Sequence, residues 1–464
     1  MKKQEKPTYP VITDPQELLF GWAPRPVEYG HGLKIGGGAV YPEINFTLPP
    51  MAIEESTWKE VRGQYQSIIE EICQRAVTLS VPAVVVECEL LPPMTLHPEW
   101  GGEIIAILRE TLDRYHDKEG LKSALRATPV DIRDSERPSK MRHGQYLDKM
   151  LESFEICARE GADLLAIESI GGKQVHDEAL VNGDLAGIVF GLGVLGVRDM
   201  RFLWTHIVDI ASKYNVIPSG DTACGFANTA MVLAEKKMIP RILAAVDRVA
   251  SVARTLVAHQ SGAVGPTKDC AYEGPYLKAL TGVPISMEGR TAACAHLSPL
   301  GNIASVCCDL WSNESVQNVR LLSTYAPVVS MEQLIYDCRL MNVALREGKK
   351  SIHCFQRLMV ESDAHLDPQA YVLHPEIVME LVKVISVQKS PLKMTIKSVE
   401  ETLKIMERGH QSGEIELNTG DLRWLDLLKM QLATLPETEA KLLDQMEIGS
   451  YQGKFIPEEY DLSV

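Results

Sequence analysis

Between residues 81 and 288, short apolar runs alternate with helical stretches, and each run closes on an acid or a thiol. Residues 81–88 read Val-Pro-Ala-Val-Val-Val-Glu-Cys, with Glu87 near the end. The run at 124–130 stops at Asp131, and 163–168 reads Asp-Leu-Leu-Ala-Ile-Glu, ending at Glu168. Val216-Ile217 leads into Asp221, with Cys224 three residues on; 262–270 ends in Asp269-Cys270, and 283–288 ends at Glu288. Runs this short and this apolar suit strands buried on both faces, which requires a parallel sheet covered by helices. The intervening stretches supply those helices. Trp58, Val61, Ile68, Ile69 and Ile72 form one apolar stripe, and Ile242, Val246, Val249, Val252 and Leu256 form another. Six candidate strands, with 44–48 and Val328-Val329 as possible extras, predict an α/β fold of the (β/α)8 TIM barrel type rather than a single dinucleotide-binding unit. The barrel is placed at residues 51–370. Residues 1–50, with Gly30, Gly32, Gly36, Gly37 and Gly38, read as an irregular glycine-rich N-terminal arm. Past about 370 strand signals fade, and 371–464 reads as a helical C-terminal extension packed on the barrel.

Composition excludes several partners. The 464 residues carry 47 basic against 62 acidic side chains, a formal net charge of −15. That argues against nucleic acid and against anionic membrane surfaces. The longest apolar stretch, 185–197, has thirteen residues and four glycines, too short for a membrane span. The charged start of the chain is not followed by an apolar run, so a secretory signal is not expected and the setting is read as cytoplasmic. Ten cysteines in that setting are thiols or metal ligands rather than disulfides. They contain no C-x-x-C, and Cys307-Cys308 are adjacent, so any metal site must be assembled from distant segments.

In a barrel, all strand C-termini open onto one face. Glu87, Asp131, Glu168, Asp221, Cys224, Asp269, Cys270 and Glu288 can therefore meet there. Two thiolates and a carboxylate, Cys224, Cys270 and Glu168, are a sensible zinc set with a fourth position open, and soft sulfur argues against magnesium or calcium. The rivals are Cys294 with His296, or His259 in place of the carboxylate. Cys294-Ala295-His296 lies in an apolar stretch that also suits core packing. Cys224 sits beside an acid and near a helix start, which favours thiolate; the plain alternative is a cysteine packed as a small hydrophobe. Gly191-Leu192-Gly193-Val194-Leu195-Gly196 matches G-x-G-x-x-G, but a clean strand before it and a ribose-binding acid after it are both missing. It reads as a close-packed turn ahead of a helix at 200–214. Lys268 beside Asp269 could hold a phosphate, but reads as a surface lysine. G-x-S-x-G is absent, so serine hydrolase chemistry has no support.

Longer motifs carry more. Gly220-Asp221-Thr222-Ala223-Cys224-Gly225-Phe226-Ala227-Asn228-Thr229, then Gly265-Pro266-Thr267-Lys268-Asp269-Cys270-Ala271-Tyr272-Glu273-Gly274-Pro275, strongly resemble the zinc-containing methanol:corrinoid methyltransferases of methylotrophic methanogens and acetogens. Cys294-Ala295-His296-Leu297-Ser298-Pro299 and Trp311-Ser312-Asn313-Glu314-Ser315-Val316-Gln317-Asn318 extend the likeness to nearly the whole chain. The resemblance implies a (β/α)8 barrel and a homodimer that forms a heterotetramer with a separate corrinoid protein. It implies zinc held by one glutamate and two cysteines, which match Glu168, Cys224 and Cys270. The implied reaction moves the methyl group of methanol onto Co(I) of the corrinoid. Asp221 and Glu288 are the candidates for an acid beside the departing oxygen. Alternative functions are a corrinoid-linked demethylase acting on methoxylated aromatics, a non-catalytic scaffold for a corrinoid protein, and an unrelated zinc lyase on a barrel.

Overall fold

The β-branched runs become the strands of one curled parallel sheet. The computed structural model describes residues 9–47, 52–270, 272–292, 298–317, 319–448 and 451–462. Nine strands form among them: β1 (Trp22–Tyr29), β2 (Leu33–Gly37), β3 (Tyr41–Thr47), β4 (Ala83–Glu89), β5 (Lys122–Thr128), β6 (Leu164–Ile167), β7 (Ile217–Asp221), β8 (Ser286–Glu288) and β9 (Leu310–Val316). β1 and β2 pair antiparallel as a hairpin. The other seven make one sheet in the order β7-β6-β5-β4-β3-β9-β8, with every pair parallel.

Residues 264–267 run between the two edges of this sheet. Val264 and Gly265 donate their N–H groups to the carbonyls of Pro218 and Ser219 on β7, at 2.9 and 2.8 Å. Thr267 N–H donates to the Pro284 carbonyl ahead of β8, at 3.3 Å. Pro266 has no N–H to give a ladder, so the segment bridges the edges without becoming a regular strand. Among the described residues the expected eight regular strands are thus seven, and ladder pairing does not close the ring.

Other expectations shift as well. Val328-Val329 lie in the helix Ala326–Glu347; the last strand of the sheet is instead β9. The stretch expected to be an irregular arm carries the β1–β2 hairpin, and its strand at 44–48 is β3, inside the main sheet; Leu48 lies outside the described residues. The single helix expected at 240–259 is two, Arg241–Ala250 and Val252–Ser261, meeting at Ser251. The G-x-G-x-x-G stretch is not a turn. It is a π-helical section, Gly191–Gly196, joining Leu185–Phe190 to Val197–Tyr214. Its glycines allow close approach: a Cβ on Gly191 would stand 3.0 Å from His176 Cβ, and one on Gly193 2.8 Å from Thr395 Oγ1.

The hairpin closes the N-terminal end of the sheet. Tyr29, Leu33 and Ile35 pack on Ala83, Val85, Ala124, Leu164 and Leu310. Gly30, at φ 57°, lets the hairpin tip touch β5, since a Cβ there would meet the Ser123 carbonyl at 2.4 Å. The C-terminal part is helical: Pro375–Ser386, Pro391–Ser412, Thr419–Ala433 and Glu439–Glu447. Ser390 and Asn418 cap two of these by accepting from Lys393 N–H and Asp421 N–H. No helix among the described residues is long and apolar enough to cross a membrane.

Candidate metal centre

Glu168 directly follows the last residue of β6, and Cys224 opens the helix Cys224–Glu235 three residues past β7. Cys270 ends the segment that bridges β7 and β8. The three meet: their ligand atoms all lie within 4.8 Å of one another. Cys270 Sγ stands 3.0 Å from Cys224 Sγ and 3.5 Å from Glu168 Oε1. Asn228, one helical turn past Cys224, donates its amide to the Cys224 sulfur at 3.2 Å. Cys270 has φ 68° and Tyr272 φ 61°. Left-handed backbone at residues with a Cβ is unfavourable, and such strain persists where the surroundings impose it, often at functional sites.

Burial changes the expected state of the thiols. The S–H that Cys270 donates works to lower the Cys224 pKa, but loss of water and the Glu168 charge prevail and push it up to about 12. Cys270 is held well above an ordinary thiol by its bond to Cys224 and by burial. The expectation that a helix start favours thiolate therefore gives way: without a cation both sulfurs keep their protons. Two soft sulfurs and one carboxylate oxygen are a donor set that suits zinc, and binding would release those protons.

The loops carrying these groups are tied together behind them. Asp221 is fully buried. It accepts from Thr222 N–H (2.8 Å), Ser169 N–H (3.3 Å), Ser169 Oγ (2.8 Å) and the Trp204 indole (2.9 Å). Arg254, also buried, donates to the carbonyls of Ser169 and Thr222 at 2.5 and 3.2 Å and lies over the Phe226 ring. Glu273 accepts from Ala223 N–H and Thr255 Oγ1. Both oxygens of Asp221 are thus engaged in joining the ends of β6 and β7, and Asp221 is not among the clustered ligand atoms. Glu288, at the end of β8, is buried, and its charge adds to the upward pressure on the Cys224 thiol.

Lys268 is not on the surface. It is 3% exposed, and its Nζ lies 2.9 Å from Asp269, 3.1 Å from Glu168, 3.4 Å from Glu89 and 3.5 Å from Glu87. Below it, Glu43, Glu87 and Asp269 form a second close group of carboxylates. Arg126 meets Glu43 at 2.9 Å, Thr128 donates to Glu87 at 2.6 Å and Ser286 to Glu43 at 2.5 Å. The protein's own cations therefore already stand in this group. Burial, opposed by Lys268, pushes the Glu87 carboxyl up to about 8. Neither Lys268 nor Arg254 stood out in the sequence as part of a site. The signal available was the adjacency of Lys268 to Asp269-Cys270.

The rival ligands separate. His259 lies in the last turn of the helix Val252–Ser261, where its Nδ1 meets the Ala263 carbonyl at 3.1 Å, and burial lowers its pKa to about 4. It is not part of the cluster around Glu168. Cys294 and His296 lie outside the described residues. Asp131 pairs with Arg133 at 2.6 Å, and Arg133 with Asp199 at 2.7 Å, which braces the turn after β5.

Comparisons with known proteins place the whole chain in one family. The family model described as methanol-cobalamin methyltransferase B subunit matches residues 6–461. A methanol–corrinoid protein co-methyltransferase of Methanosarcina barkeri (strain Fusaro / DSM 804) is 37% identical over 451 residues, 96% of this chain and 96% of that protein. The crystal structure of the methanol:cobalamin methyltransferase complex MtaBC from Methanosarcina barkeri contains a chain that superposes with a TM-score of 0.94 at 36% identity. The match covers 99% of this chain and 100% of that one.

Proposed function

The chain belongs to the methanol-cobalamin methyltransferase B subunit family, and we propose that it transfers the methyl group of methanol to the cobalt of a corrinoid carried by a separate protein. The observation that carries this is the meeting of Glu168, Cys224 and Cys270 at the C-terminal ends of the sheet, in a chain matched by the family model over nearly its full length. In this reading the curled sheet and the 264–267 segment act together as a (β/α)8 barrel, with the reaction at its C-terminal mouth.

Glu168, Cys224 and Cys270 would hold zinc. When bound, the ion supplies a Lewis acid that makes the oxygen of methanol a better leaving group. The chain's residues do the rest. Asp221, Arg254 and Glu273 fix the loops that present the three donors, so little reorganisation remains for the reaction. Glu288 is the candidate for delivering a proton to the departing oxygen. The thiols must stay reduced to bind metal, which suits the cytoplasm. The same reading has two copies of the chain, each with its corrinoid protein.

The test is bound-zinc content together with methanol-dependent methylation of a Co(I) corrinoid. We expect about one zinc per chain, lost in Cys224→Ala, and methylation with methanol but not with methoxybenzoates. A zinc-free wild-type chain that still methylates the corrinoid would rule the reading out; methylation from methoxybenzoates alone would move it to demethylation. Glu288→Gln should lower kcat by roughly 10²–10⁴-fold if it supplies the proton.

A further inference from the structure

We propose that Lys268 is a positioning residue for the metal centre, whose ammonium holds the Glu168 carboxylate beside the two thiols. The proposal rests on the reading of Glu168, Cys224 and Cys270 as ligands. Glu168 needs such an anchor. Its side chain is 27% exposed, and it lies just past the last residue of β6. Among the described residues its polar contacts are Cys270 Sγ at 3.5 Å and Lys268 Nζ at 3.1 Å. Left to the thiol alone, the carboxylate would be free to turn toward water.

Lys268 is fixed from the other side. An ammonium has three N–H donors, and here four carboxylates share them. Three of those carboxylates belong to rigid strands or to the bridging segment. Glu87 is held by Thr128 of β5 at 2.6 Å, Glu89 by Asn45 of β3 at 3.1 Å, and Asp269 is covalently next to Cys270. The lysine therefore transmits the positions of β3, β4 and β5 to a side chain on β6's loop. It also places a ligand's carboxylate relative to Cys270, two residues along its own chain.

The sign of one measurement separates position from charge. Removing a positive charge beside the centre strengthens Coulomb attraction for a divalent cation. Removing an anchor weakens binding, because a ligand must then be ordered on binding. A role through charge alone predicts tighter zinc in Lys268→Met; a positioning role predicts weaker zinc.

The experiment measures zinc affinity by competition with a chelator, the visible spectrum of the Co(II)-substituted protein, and melting of the metal-free protein. The proteins are the wild type, Lys268→Met, Lys268→Arg, and Lys268→Met combined with Glu89→Gln, which restores the wild-type net charge. We expect zinc affinity to fall about 10- to 100-fold in all three variants, with altered Co(II) bands, while the double variant regains melting temperature but not affinity. Unchanged or tighter zinc in Lys268→Met, or wild-type affinity restored by Glu89→Gln, overturns the proposal. So does failure of every Lys268 variant to fold while Glu168→Gln folds, because Lys268 would then serve the core alone. A wild-type chain that binds no zinc is a different result: it defeats the reading of the ligands themselves.

Discussion

The two ends of the sheet are built from the same strands and from opposite chemistry. Along the inward face of β4 the residues are Ala83, Val85, Glu87 and Glu89, two apart as strand geometry requires. Their partners follow suit. β5 runs Ala124, Arg126, Thr128; β3 runs Tyr41, Glu43, Asn45; β9 runs Leu310, Ser312, Glu314. Each strand begins in apolar side chains under the β1–β2 hairpin and ends in polar or charged ones. The first end stabilises the protein by burying apolar surface. The second end holds buried acids, two clustered thiols and two left-handed residues, none of which favours folding. Stability and chemistry are therefore separable on this scaffold, and variants at the two ends should move different observables.

The largest expected effect is at the charged end. Cys224→Ala removes one of the three proposed ligands, so its effect on zinc content and methyl transfer should exceed the about 10- to 100-fold typical of supporting residues. The melting temperature of the metal-free protein should not fall. A clear loss of metal-free stability in Cys224→Ala would break the separation. Leu310→Ala is the mirror experiment. Leu310 is fully buried in the hydrocarbon end, and Leu→Ala in a core costs about 2–5 kcal/mol. Chemical denaturation should show that loss, with zinc stoichiometry unchanged in the folded protein. Zinc lost from folded Leu310→Ala would mean that the ends are coupled.

A buried ion pair sharpens the comparison, because it packs against the helix that Cys224 opens but lies outside the cluster of Glu168, Cys224 and Cys270. His176 Nε2 is 2.6 Å from Asp247 Oδ1, both are fully buried, and the ring packs edge-on against Phe226, two residues past Cys224. Burial works against the imidazolium, but Asp247 and then Asp177 overcome it and raise the pKa to about 9. The folded value lies above the unfolded one, so the stabilising contribution is complete below about pH 6.5 and is lost as pH rises through about 9. By linkage a rise from 6.5 to 9 is on the order of 3 kcal/mol. Denaturation between pH 6 and 10 should show this decline, and His176→Gln should flatten it. A wild-type profile with no decline through pH 9 would show that His176 is neutral in the folded protein.

How legible these regions were in the sequence follows from the same face pattern. The run Val84-Val85-Val86 is apolar on both faces and reads as a strand. β9 does not, because its inward face runs from Leu310 at the hydrocarbon end through Ser312 to Glu314 at the charged end, while Trp311 and Asn313 face outward; that alternation of polar groups carries no hydrophobic signal. Val328-Val329 has the composition of a strand, yet Met331, Leu334, Ile335, Cys338 and Met341 continue it at helical spacing, all of them buried. The residues that meet at the candidate metal centre were visible as acids and thiols at strand ends. Their supports were not, since a buried lysine or arginine is legible only once its carboxylate and carbonyl partners are known. Lys268 read as a surface residue for that reason. The glycines at 191–196 matched a phosphate-binding pattern, although their use here is to let one helix touch its neighbours.

The smallest effect expected concerns Asp221, one of the two acids that the sequence offered beside a departing oxygen. In the structure its two oxygens take hydrogen bonds from Ser169, Thr222 and Trp204, with Arg254 at 3.4 Å. Asp221→Asn keeps the shape but replaces one acceptor oxygen with a donor that faces Trp204 or Thr222. Hydrogen bonds to a charged group contribute about 1.5–3 kcal/mol, so the variant should lose stability on that scale. Its kcat should fall by less than the roughly 10²–10⁴-fold that a general acid supplies. The two roles predict opposite pairs of results. A bracing residue lowers melting temperature and leaves kcat nearly intact; an acid lowers kcat and leaves melting temperature intact. If Asp221→Asn melts like the wild type but transfers methyl groups a thousandfold more slowly, the boundary between the supporting and reacting groups at this end has to be redrawn, and Asp221 moves to the reacting side with Glu288.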